Sequence, residues 1–303
     1  MSAQQAQVPD GRRHFQHGPI DIVIGADGDA SAVAAAHAAA WQRFETVLDE
    51  LVSELPALRR PLQGPCPLRG RVARRMWEAC RPYRAGFITP MAAVAGAVAQ
   101  ELIHPYRRDG IQRAWVNNGG DIAWHLAAGH SLRVGLFADL ARLDVQQLVH
   151  GIRSDGHIDL THDAPARGIA TSGWRGRSFS RGIADSVTVL ACTAAEADAA
   201  ATVIANAVDV DNPRIVRRPA NELKDDSDLG TILVTVDVPA LPADTVRRAL
   251  EAGRQRAETL RNAGLICACT LTCQGQAASV GQASDTSDAS AVGVPYTAAM
   301  TLA

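Results

Sequence analysis

The chain has 303 residues, with 30 Lys plus Arg against 32 Asp plus Glu and a formal net charge of −2. That length can bury one large core or two lobes. Near-neutral charge gives no bulk electrostatic drive towards nucleic acid or a membrane surface, and no apolar run reaches the roughly 18 residues of a membrane span. Residues 1–11 lack a charged start followed by an apolar stretch, which argues against a signal peptide and for a cytoplasmic location.

In chain order, residues 1–18 read as a flexible polar lead-in, 19–273 as one domain, and 274–303 as a disordered or loosely packed tail rich in Ser, Ala, Asp and Gly. A strand is expected over 19–25. Asp29 or Ser31 is placed to cap a long helix with apolar residues at helical spacing, running to about Leu55 and closed by Pro56 and Pro61. After a Pro/Gly loop come a helix over 72–80 and a second helix opened by Pro90 and reaching Leu102, proline being suited to a first turn.

Strands are expected over 111–117 and 122–126, β character over 131–136, irregular chain over 139–152, and further strands over 156–160 and 168–171. A strand over 186–192 precedes a helix over 194–207. A charged loop (208–228), a strand (231–238), a helix (244–263) and a final strand (265–273) complete the pattern. Strands and helices mix without steady βαβ alternation, and some strands lie close enough for hairpins. The fold class expected is therefore α+β rather than a doubly wound sheet.

Six cysteines are present: Cys66, Cys80, Cys192, Cys267, Cys269 and Cys273. In a reducing compartment they are free thiols. The last three have even spacings that place them on one strand face; small apolar packing is favoured over a metal site, which would need a fourth ligand from elsewhere. The nine histidines form no H-E-x-x-H pattern, which disfavours a zinc hydrolase. Ser172 lacks a G-x-S-x-G elbow. No catalytic acid or base is assigned; His125 is the histidine nearest the candidate site in sequence.

Three stretches carry the chemistry. Val116-Asn-Asn-Gly-Gly-Asp-Ile122 is a polar, Gly-rich turn after an apolar strand, offering Asn117, Gly119, Gly120 and Asp121. Its glycines suit either a close backbone approach to a ligand or a tight hairpin. Ile169-Ala-Thr-Ser-Gly173 presents Thr171 and Ser172 and leads into a loop with Trp174, Arg175, Arg177 and Arg181. Those guanidiniums suit an anion, or a solvated basic surface. In Ala197-Asp-Ala-Ala-Ala-Thr202, Asp198 and Thr202 stand four apart on one helix face. A carboxylate and a hydroxyl suit Mg2+ or Ca2+, which prefer oxygen ligands; the structural alternative is a solvated Asp beside a packed Thr.

The order and content of these stretches resemble the ApbE superfamily of flavin transferases, whose members carry an N-x-G-G-D turn, an A-T-S-G turn and an A-D-A-L-A-T helix in that order. The match runs from about Phe87 to Ala207. The resemblance implies two mixed α/β lobes flanking a ligand cleft, with a metal, expected to be Mg2+, at Asp198 and Thr202, helped by a carbonyl from residues 93–95. It further implies FAD as substrate or ligand, contacted by Asn117, Gly119, Gly120, Asp121, Thr171, Ser172 and Arg175. The family's H-x-x-D-P segment, with its catalytic His, is missing here. Its G-x-x-A-K-G helix is replaced by Met91-Ala-Ala-Val-Ala-Gly96, as in a shorter, uncharacterised branch.

The activity implied is a metal-assisted transferase or phosphoanhydride hydrolase acting on a flavin-type dinucleotide. The alternative is a protein that binds a small anionic metabolite, or an enzyme of different chemistry such as ring hydrolysis, on the same fold. In either case the expected partner is a small anionic molecule. No oligomeric state is implied.

Overall fold

The computed structural model describes residues 2–136, 156–176 and 178–281. The described residues divide into two compact units, one drawn from within 1–132, 161–170 and 190–199, the other from within 133–160, 171–189 and 200–303. Each mixes helices and strands, so the α+β class holds.

In the first unit, β1 (Gln4–Gln7), β2 (Arg13–His17), β3 (Ile20–Gly28), β4 (Ile111–Asn118) and β5 (Asp121–Leu126) lie in that order, each antiparallel to the next. β5, followed in the chain by β6 (Ser131–Leu136) and β7 (Gly156–Thr161), pairs with the start of β8 (Gly168–Ser172), Ile122 opposite Ile169. The stretch expected as a flexible lead-in, residues 1–18, thus contains two strands. They form the polar edge of a sheet, and only Phe15 and His17 of β2 are buried. Strands that short, with so few apolar residues, leave almost no periodic signal.

The Ala30–Ser53 helix buries Ala36, Ala40, Phe44, Val47 and Leu51, a stripe at three- and four-residue spacing that faces the core. Phe44 meets Phe15, with ring centroids 5.4 Å apart. Asp29 occupies the cap position but makes no side-chain cap bond; its backbone N–H instead donates to the Gly110 carbonyl at 2.7 Å. The Arg71–Cys80 and Val94–Leu102 helices complete the unit's core. Between them runs an ion-pair network centred on Glu101, which is 2% exposed and accepts from Arg43 Nε and Arg75 Nη1, each at 2.8 Å.

In the second unit, β9 (Ser186–Ala191), whose first four residues belong here, neighbours β12 (Ala268–Cys273), and β12 pairs antiparallel with β13 (Gln276–Val280). The expected tail therefore begins too early at 274: a tight turn with positive φ at Gln274 and Gly275 returns the chain as a strand. Residues 282–303 lie outside the described residues, as does the expected irregular stretch 139–152. The expected loop over 208–228 holds β10 (Val216–Pro219), paired with β11 (Leu233–Asp237), and a helical turn at Ala220–Leu223. Arg217 and Arg218 made that stretch read as loop, whereas charged side chains are a common feature of edge strands.

The six cysteines are free thiols. Cys269 and Cys273 share a buried face of β12, while Cys267 precedes the strand and is half-buried. Burial pushes the Cys273 thiol up to about 12. Among the described residues no helix is long and apolar enough to cross a membrane.

Candidate functional site

The first motif is a hairpin. β4 and β5 pair from Arg113 with Leu126 down to Asn118 with Asp121, so Gly119 and Gly120 alone make the turn. Their φ values are 67° and 113°, a two-residue turn with both residues left-handed, which side chains with a Cβ resist. Asn117 Oδ1 accepts from the Gly120 N–H at 2.8 Å. Its carboxamide oxygen is therefore engaged in holding the turn. The hairpin reading is the correct local account, and it places Asn118 and Asp121 side by side at the end of the sheet.

Asn118, absent from the expected site, is buried and donates from Nδ2 to the Ala95 carbonyl at 3.1 Å. That bond ties the hairpin to the start of the Val94–Leu102 helix. The next residue, Gly96, has its N–H directed at Asp198 Oδ2, 2.9 Å away. A Cβ on Gly96 would lie 2.2 Å from the Ala194 carbonyl oxygen, and one on Gly168 would lie 2.1 Å from the Ala194 nitrogen. Two glycines thus admit backbone to both sides of the first turn of the Ala194–Ala207 helix. Thr193 caps that turn through Oγ1, accepting from the Glu196 N–H at 3.2 Å. This packing fixes where Asp198 stands.

The electrostatics follow from that enclosure. Asp198 is half-buried as a residue, but its carboxylate is surrounded by protein. Its carboxyl is pushed well above the usual range, first by desolvation and then by the charge of Asp121; the N–H groups of Gly96 and Ala95 oppose this only in part. Asp121 is itself buried. The Cys80 thiol is also pushed well up, first by its burial and then by the charge of Asp198. Asp121 was expected among ligand contacts; the structure makes it the carboxylate partner of Asp198.

Two carboxylates forced together out of water fit a hard divalent cation, which binds oxygen and lets backbone carbonyls, hydroxyls, water or phosphate complete its shell. Among the described residues no group of three or more His, Cys, Asp or Glu side chains is gathered for a metal. Thr202 lies one turn beyond Asp198 on the same helix, half-buried.

Thr171, Ser172 and Arg175 belong to the second unit. Thr171 Oγ1 lies 2.9 Å from Thr188 Oγ1 across neighbouring strands. Arg175 stands 5.0 Å above the Trp174 ring and 3.6 Å from Asp185 Oδ1, so its charge and the ring's flat face are each partnered within the loop. Arg177 lies outside the described residues. His125 stands at the other end of β5 from Asp121, about 13 Å away at strand spacing.

With the α+β fold and this acidic pair in place, the class can be stated. Residues 5–279 match the protein family described as "AbpE bacteria", and the chain belongs to that family. It is 36% identical to "UPF0280 protein MK0206" of Methanopyrus kandleri over 208 residues, covering 68% of this chain and 78% of that protein. A UPF0280 protein of Methanosarcina acetivorans is 31% identical over 201 residues, 66% of this chain and 73% of the relative. Among solved structures, the apo form of Pseudomonas stutzeri flavinyl transferase ApbE aligns with a TM-score of 0.45 and 15% identity, over 93% of this chain and 95% of that one.

Proposed function

We propose that the protein is a magnesium-dependent enzyme acting on the phosphoanhydride of a flavin-type dinucleotide, as a transferase or a hydrolase. The observation that carries this reading is the Asp121–Asp198 pair, two carboxylates held together away from water. Family membership and the three ordered motifs support it, and the motif resemblance supplies the flavin dinucleotide as substrate class.

Asp121 and Asp198 would hold the cation, with Thr202 one turn further along the helix. When bound, Mg2+ supplies Lewis-acid stabilisation of charge on phosphoryl oxygens. The chain's own residues do the positioning. Gly96 fixes one oxygen of Asp198, and Asn118 fixes the Ala95 carbonyl. The glycine turn lets a phosphate approach backbone without a Cβ in the way.

Incubation with FAD and MgCl2 tests this, with products separated by chromatography. AMP is the product common to transfer and hydrolysis; FMN appears free when water is the acceptor. AMP release is expected with Mg2+, and is abolished by EDTA and by Asp198→Asn. Absence of AMP together with absence of FAD binding overturns the proposal.

A further inference from the structure

Wholly within the first unit is an open cavity of about 650 Å³ that shares no lining residue with the acidic pair. Its charged lining is Arg107, Arg108 and Arg167 against the carboxylate of Asp109, with His125 and His162 beside them. Ile111 and Leu126 give it an apolar portion. A volume of this size accepts an organic ligand rather than a lone ion.

Among the described residues these arginines have no carboxylate partner within ion-pair distance. Arg167 spends its donors on backbone carbonyls, including those of Ala166 and His162 at 2.6 Å each. These bonds fix the guanidinium at the cavity without cancelling its charge. Among the described residues no hydrogen bond or ion pair engages the side chains of Arg107 and Arg108. The other acid nearby, Asp163, is taken up by His162 Nδ1 at 3.0 Å and is almost fully exposed. Arg107 is pushed down, first by desolvation and then by Arg167 and Arg75. His125 moves the same way, first by desolvation and then by Arg107. Burial is the larger cause of both shifts, and the neighbouring positive charges add to it.

We propose that this cavity binds a small organic oxyanion, carrying a phosphate or paired carboxylates, held by the free guanidinium forks of Arg107 and Arg108 beside the fixed charge of Arg167. Arg forks match the planar or tetrahedral oxygens of both groups. The site is independent of the carboxylate pair, so it does not rest on the activity proposed above.

The test is titration calorimetry and thermal shift of the full chain in EDTA, with pyrophosphate and citrate as probes and NaCl at matched ionic strength as control. Saturable binding of at least one probe is expected, and which one binds distinguishes a phosphate site from a carboxylate site. Arg107→Ala and Arg108→Ala, both at exposed positions, are each expected to weaken it about tenfold. Arg107→Lys, keeping the charge but losing the fork, weakens it less. Asp198→Asn retains binding. Failure of both probes to bind saturably at millimolar concentration overturns the proposal. So does binding that survives the loss of both arginines, or that is lost with Asp198→Asn alone.

Discussion

Gly96→Ala tests the packing on which the candidate site depends. The added methyl would stand 2.2 Å from the Ala194 carbonyl oxygen, 2.6 Å from its carbon and 2.9 Å from Asp198 Cβ. Ordinary contact is about 3.5 Å, so the helix carrying Asp198 must retreat by about 1 Å. Overpacking of this kind costs about 1–3 kcal/mol. The same retreat stretches the Gly96 N–H bond to Asp198 Oδ2, and leaving that donor without its acceptor inside the protein costs about 1–3 kcal/mol. Against these stands the helix propensity of Ala over Gly, about 1 kcal/mol.

The net expectation is destabilisation by about 1–5 kcal/mol, an order-of-magnitude figure from those three effects. In a chain this long, unfolding as one unit, it corresponds to a melting point lower by about 2–8 °C. Urea unfolding with an unchanged m-value measures it directly. Repeating the substitution in an Asp198→Ala background separates the two costs: the steric part remains, while the hydrogen-bond part vanishes. A Gly96→Ala protein as stable as the parent would refute the close approach and, with it, the stated placement of Asp198.

The Glu101 network makes a prediction about pH. The cost of desolvating Glu101 is outweighed by hydrogen bonds from Arg43 and Arg75, leaving its carboxyl below the usual range. A lowered folded value means that the contribution is complete above the ordinary glutamate range and is lost as pH falls below that range and through the folded value. Glu101→Ala should cost about 3–5 kcal/mol at neutral pH and flatten this acid limb; a parental acid-unfolding curve in the variant would contradict it. Thiol labelling supplies another check. Iodoacetamide followed by mass spectrometry should modify exposed Cys192 first, while Cys80, Cys269 and Cys273, raised by burial, react only on unfolding. Rapid native labelling of Cys80 would mean that the core beside Asp198 opens.

Local features of the chain made part of this molecule legible. The Ala30–Ser53 helix buries a 3.6-period stripe, and the Asn-Gly-Gly turn dictates the β4–β5 hairpin. What escaped reading has a common cause. β1 is exposed at every residue, and β10 sets Arg217 and Arg218 between an exposed Val216 and Pro219 with no buried residue. In both, the backbone ladder rather than apolar burial defines the element. The site follows the same division. Asp198 could be singled out because its motif is local. Its bond to Gly96 joins residues 102 apart in sequence, and Asn118 reaches Ala95 across 23; no spacing rule reveals either contact. The cavity at Arg107 and Arg167 likewise joins a loop before β4 to the residue preceding β8, and no short motif marks it.

The acidic pair also resists explanation by folding alone. The Gly96 N–H requires only an acceptor at residue 198, and an Asn of the same size would accept that bond without opposing Asp121. Likewise, the turn constrains Gly119 and Gly120 through their positive φ, and Asn117 through its bond to Gly120; it does not require a carboxylate at residue 121. The Glu101 network is different, because there each buried oxygen meets a guanidinium and the charge is answered within the chain. At Asp198 the neighbouring acid, Asp121, raises the carboxyl further. A proton shared by the two acids or a cation drawn from solution would answer that charge, and the function proposed above takes the second.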